Sequence, residues 1–211
     1  MRNLFTILGL LFFTNFLVAQ TSEWRVLGGF KNATSWQGSQ SYKINDIDVA
    51  WDIYSTSPIS AHTFSILYDH TFYPKWSWSV GININQKGYL EKGIFKDAYE
   101  PTQRPYYNEK IRPYWGFLIG SQYEFYKKNS WACNIELLIN PEAEKYGYSD
   151  AKKWGLSSLL MLNIEKSISK HFAVSCTPLF ETSMINYLKK DSPIKYSPYS
   201  YGLMIGLKYS K

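Results

Sequence analysis

Residues 63–88 read TFSILYDHTFYPKWSWSVGININQKG. Successive side chains of an extended chain point to opposite sides. In the first half this puts Phe64, Ile66, Tyr68, His70 and Phe72 on one face and Thr63, Ser65, Leu67, Asp69 and Thr71 on the other. In the second half Trp76, Trp78, Val80, Ile82 and Ile84 oppose Ser77, Ser79, Gly81, Asn83 and Asn85. Tyr73, Pro74 and Lys75 supply the turn. The stretch predicts a β-hairpin with one aliphatic face, aromatic toward the turn, and one small, polar face.

The same unit recurs along the chain. Tight turns fall at Lys127 to Ser130 and at Ser169 to Lys170, and long Pro- and Lys-bearing segments at 89–109, 141–151 and 189–197. Counting from this rhythm gives eight strands, over 23–31, 60–73, 76–88, 110–126, 130–140, 152–168, 171–187 and 197–209. The stretch NATSWQGSQS reads as a loop, and the alternating segment 46–54 as either a strand of its own or an upward extension of the second strand, broken near Ser57 and Pro58; the extension is favoured because an independent strand would make nine. Alternating short and long connections are the habit of an up-and-down antiparallel transmembrane barrel, with short periplasmic turns and longer extracellular loops.

Face composition fixes which side is inside. One set holds Trp24, Val26, Phe30, Ile111, Phe117, Ile119, Ile135, Leu137, Leu160, Leu162, Val174, Leu203, Ile205 and Leu207. The other holds Gly, Ser, Asn and charged residues. A soluble barrel would show that second set to water, and Lys and Glu should then dominate it. Its Gly and Ser content instead suits a narrow lumen filled by side chains, with the apolar set facing lipid. The lumen is expected to hold a polar network of Arg25, Asp69, Arg112, Glu124, Glu136, Glu165, Glu181 and Lys208, with Arg–Glu pairing across it, because buried charges of one sign are costly. Phe72, Trp76, Trp78, Trp115, Trp131, Trp154, Tyr199 and Tyr209 are expected at the two membrane interfaces, where an apolar ring meets a polar tip.

Composition agrees. Charged residues are 19% of the chain and aromatics 18%, with 18 Tyr and 8 Trp. Ordinary soluble domains carry roughly 25% charge. Residues 1–19 read as a cleaved signal peptide, with Arg2, an apolar run from Leu4 to Val18, and Ala19 before the cut. That leaves 20–211 as one barrel domain in the outer membrane of a Gram-negative envelope. Cys133 and Cys176 fall two strands apart, roughly 10 Å, too far for a disulfide. They read as small lipid-facing residues. The net charge of +6 places lysines at Lys92, Lys96, Lys110, Lys145, Lys152, Lys189, Lys190 and Lys195, with Arg104, where lipopolysaccharide phosphates would lie. No basic cluster or motif points to nucleic acid.

No catalytic or metal-binding motif of the HExxH or GxSxG kind occurs, and no cofactor is expected. Of the three histidines, His70 and His171 lie beside short turns. Only His62 is placed to meet outer-leaflet lipid, and no His-x-Ser-Asn arrangement surrounds it.

NQKG, Asn85 to Gly88, followed by a loop and then IRPYWGFLIG, Ile111 to Gly120, resembles the small outer-membrane β-barrel families related to PorT. The resemblance implies an eight-stranded barrel and, in some members, a role in protein secretion or as an accessory subunit. The expected function is therefore a non-enzymatic structural or accessory subunit of a larger envelope complex. A lipid A modifying enzyme and a narrow channel are the alternatives.

Overall fold

The computed structural model describes residues 21–35, 40–43, 50–96, 104–145, 154–185, 187 and 196–211. The expected signal peptide lies outside these residues. Ten strands follow in order: β1 (Thr21–Ser35), β2 (Gln40–Lys43), β3 (Ala50–Ser57), β4 (Ile59–Tyr73), β5 (Trp76–Lys96), β6 (Arg104–Lys128), β7 (Trp131–Glu144), β8 (Trp154–Ser167), β9 (Phe172–Ser183) and β10 (Pro198–Ser210). Eight of them close an antiparallel ring in the order β4, β1, β10, β9, β8, β7, β6, β5, sealed by the β4–β5 pairing.

The remaining two form a hairpin on β5. On one edge of β5, Trp76 to Asn85 pair with β4, and Leu90 to Lys96 pair with β3. β3 therefore continues the line of β4 above Pro58, which has no N–H to give the ladder. Residues 50–54 of the segment 46–54 extend the second barrel strand, as the alternation predicts; residues 46–49 are not among those described.

The connections at the far end are more ordered than the sequence suggests. The expected loop 89–109 is largely strand: β5 runs 21 residues and β6 runs 25, paired from Trp76↔Tyr123 to Phe95↔Arg104. Lys, Glu, Gly and Pro give this stretch a loop's composition. It stays extended because β5 is paired on both edges. Likewise Asn32–Ser35 belong to β1, Gln40 and Ser41 to β2, and Pro141–Glu144 to β7 rather than to loops. β2, β3 and the upper parts of β5 and β6 thus form a four-stranded sheet above the barrel.

The other end is trimmed to tight turns. Tyr73 and Trp76 face each other across Pro74 and Lys75, with Lys75 at φ 71°. Pro at the first central position and positive φ at the second are the signature of a type II turn. Asn129, at φ 55°, makes the next turn, between Lys128 and Trp131, and Asn tolerates that region better than most residues.

Side-chain alternation divides the wall cleanly. Val26, Phe30, Ile82, Phe117, Ile119, Ile135, Leu137, Leu160, Leu203, Ile205 and Leu207 are exposed on the outside. Cys133 and Cys176 are unbonded on the same face, each opposite Ile164 of the strand between them. The interior departs from expectation in its middle. Leu27, Leu67, Leu118, Leu138, Leu159, Met161, Leu179 and Met204 form one buried cluster there, so an aliphatic layer, not only small and charged residues, fills the bore.

Candidate functional site: the closed lumen

Three polar layers and the aliphatic one are stacked along the barrel axis. Nearest the short turns, Lys208 Nζ lies 2.7 Å from both Glu23 and Glu165. Asn134 donates to Glu165 at 3.3 Å. Next, Arg25 on β1 is fully buried between two carboxylates. Its Nη2 donates to Asp69 at 2.8 Å and to Glu136 at 2.7 Å, and its Nη1 donates to Glu136 at 2.8 Å. Glu136 also accepts from Asn163 at 2.8 Å, and Asn163 in turn accepts from Thr177 at 3.0 Å. The expected Arg–Glu pairing across the lumen is present in this layer.

Above the aliphatic layer lies a second charge network. Lys31 donates to Glu181 at 2.6 Å, and Lys87 lies 2.8 Å from the same carboxylate. Asn85, Ser157 and Ser200 also donate to Glu181, at 2.8, 3.0 and 3.1 Å. Lys87 pairs with Glu142 as well, and Tyr187 donates its hydroxyl to that carboxylate. In this arrangement each buried charge has an opposite partner and additional hydrogen bonds, the condition under which a buried ion pair is tolerated.

Four tyrosines roof this layer. Tyr89, Tyr114, Tyr187 and Tyr196 are buried as one cluster, with Tyr89 and Tyr196 ring centroids 4.9 Å apart and Tyr114 edge-on to Tyr187 at 5.4 Å. Lys87 Nζ sits 4.7 Å from the Tyr187 ring centroid, a cation–π contact. The Tyr187 N–H donates to the Tyr196 carbonyl at 2.9 Å. β9 ends at Ser183, short of the 187 expected. This frees Tyr187 to turn back into the mouth. Gly155 makes room for it, since a Cβ there would overlap the Tyr187 ring.

Of the eight expected lumen residues, the structure brings Arg25, Asp69 and Glu136 together, joins Lys208 to Glu165, and places Glu181 at the hub of the upper network. Arg112 instead meets Glu144, at 3.3 Å. Glu124 stands at the open rim, beside Lys127 at 3.4 Å, outside every buried network. It shares the inward face of Gln122, opposite Asn134, and the bulge follows it, between Glu124 and Tyr126, so its side chain is left 26% exposed at the open end of the bore. Lys31, Lys87, Glu23, Glu142 and Glu144 join these networks without being among the eight. Lys87 shares the Asn83 and Asn85 face of β5, which is the signal for it. Glu142 was hidden by Pro141, which reads as a strand end.

The expected interface aromatics all lie on the outer wall, Trp78 and Tyr199 half-buried and the rest exposed. Phe72, Trp76, Trp78, Trp131 and Tyr209 gather at the short-turn end. Trp115 and Trp154 flank Ala143 at the far end, and Tyr199 stands opposite Thr34. His62 lies outside against the edge of Phe30 at 5.0 Å, with its N–H donated to Gln86 at 3.1 Å. Among the described residues no group of His, Cys, Asp and Glu is arranged to hold a metal ion.

No protein-family model matches the chain, and no curated protein matches it by sequence. Solved structures match by shape. Neisserial surface protein A superposes with a TM-score of 0.53 at 9% identity, over 89% of this chain and 96% of that one. The outer membrane protein OprG of Pseudomonas aeruginosa gives 0.47 at 11%, over 92% and 97%. The outer membrane protease OmpT of Escherichia coli gives 0.48 at 8%, over 92% and 97%. At 9% identity the superposition on Neisserial surface protein A is a likeness of fold alone: an antiparallel β-barrel, here with eight strands in the ring.

Proposed function

We propose that this chain is a non-catalytic outer-membrane barrel acting as a structural or accessory subunit of a larger envelope complex. The observation that carries the reading is the lumen, closed between the Lys208 layer and the tyrosine roof by paired charges and the aliphatic layer. An ion crossing it would have to enter a bore lined by eight apolar side chains, which argues against a channel. The four-stranded sheet above the ring supports a docking role, since ring closure needs neither β2, β3 nor the upper halves of β5 and β6. The outer aromatics would anchor the barrel at both interfaces, and Arg104, Lys92 and Lys110 would meet lipopolysaccharide phosphates.

The test is affinity purification in mild detergent. A larger membrane protein should co-purify with the intact chain and be lost when residues 88–111 are replaced by a short turn, while heat-modifiable gel mobility is kept. A lone monomer under the same conditions overturns the assignment. An altered lipid A acyl profile on gene deletion would favour the enzyme instead.

A further inference from the structure

The short-turn end of the barrel opens into a cup of about 310 Å³. Its floor carries Glu23, Glu165, Lys208, Asn134 and Gln122, and its rim Lys75, Lys127, Lys170 and Glu124. On the floor two carboxylates share the single ammonium of Lys208, 2.7 Å from each, which leaves one negative charge in excess. Asn134 is 2% exposed and Gln122 5%. The Asn134 amide is oriented by its Nδ2 bond to Glu165, and neither its Oδ1 nor Gln122 Oε1 receives a hydrogen bond among the described residues. Buried acceptors are nearly always satisfied in native proteins, so the floor lacks donors as well as positive charge. The rim is opposite in sign. Glu124 pairs with Lys127, and Lys75 and Lys170 stand exposed in their turns.

A ligand that fits this polarity enters ammonium first and trails a carboxylate. We propose that the cup binds an ω-ammonium carboxylate group. Its ammonium would donate to Asn134 Oδ1, Gln122 Oε1 and the Glu165 carboxylate, and its carboxylate would lie between Lys75 and Lys170. Two periplasmic sources carry this chemistry, the diamino acid of a cell-wall stem peptide and a protein chain ending in lysine. The site stands independently of the subunit assignment.

Titration calorimetry on the full mature chain in micelles tests it, with ε-aminocaproate, n-hexylamine and caproate as probes. ε-Aminocaproate should bind at least tenfold more tightly than either single-charge probe. Asn134→Leu should weaken it to the level of caproate, and Lys170→Glu to that of n-hexylamine. Lys170 lies in an exposed turn, so this second variant keeps the test valid if Asn134→Leu does not fold, as judged by heat-modifiable mobility. Equal binding of all three probes, or no heat with any of them, overturns the proposal. A stem peptide binding more tightly than a lysine-ended peptide assigns the cell wall as the source, and the reverse order assigns a protein.

Discussion

Glu136 reaches across the bore from β7 to grip Arg25 of β1 with both carboxylate oxygens, at 2.7 and 2.8 Å. This bidentate pair, closed on its other side by Asp69, ties opposite walls of the ring together. Arg25→Met should leave two buried carboxylates without a cation and cost about 3–5 kcal/mol. Replacing Arg25, Asp69 and Glu136 together by Met, Leu and Leu should recover most of that loss. Urea unfolding in lipid vesicles, followed by tryptophan fluorescence, measures both, and a single variant as stable as the wild type would refute the account.

The aliphatic layer makes a second demand. Leu138→Ala should cost about 2–5 kcal/mol through the lost contacts and the cavity left behind. Planar-bilayer recordings should find no stepwise conductance in the wild type. Replacing Leu27, Leu118 and Leu138 by Ser should introduce it, because those changes wet the one dry stretch of the bore.

Gly155 sets the position of the tyrosine roof. Gly155→Val should push Tyr187 out of the mouth, breaking its bond to Glu142. Trypsin should then cut more quickly at Lys189 and Lys190, with the strands unaffected. Cleavage at the wild-type rate would mean that the ring can shift without leaving.

Burial pushes the Tyr187 phenol up, with the Glu142 carboxylate adding to the shift, and burial likewise raises Tyr196. Both sit beyond the strand ends. A folded pKa above the unfolded value, about 10 for tyrosine, means that the folded state holds protons the unfolded state gives up. Stability is therefore full below about pH 10 and falls as pH rises further. Base titration monitored by tyrosinate absorbance should show these phenols ionising only as the barrel unfolds.

Much of this was legible in the chain itself. Period-two alternation gave the ring, its inside and its outside, because a one-residue slip would turn every lipid-facing Ile and Leu inward. The aliphatic layer was not read from the sequence, although its trace is there. Leu118 lies between Phe117 and Ile119, and Leu138 between Leu137 and Ile139, so the alternation lapses there into unbroken apolar runs. Such a run looks like a fault in the pattern until all eight are placed at one level. The partners of Lys87 could not be read, since Glu142 and Glu181 come from strands distant in sequence and meet it only when the ring closes. The length of β5 was concealed for a different reason: Lys92 and Gly93 have loop composition, and pairing on both edges, to β3 and to β6, keeps them straight.

That long strand has a mechanical meaning. β5 is one unbroken extended segment from the Pro74–Lys75 turn to Lys96, flanked along its length by β4, β3 and β6. Antiparallel ladder bonds lie perpendicular to the strand, so a pull along β5 loads them in parallel, as rivets share a shear force, rather than one after another. Tension applied to the outer sheet is thus delivered to the lip of the opposite mouth without first unravelling the wall.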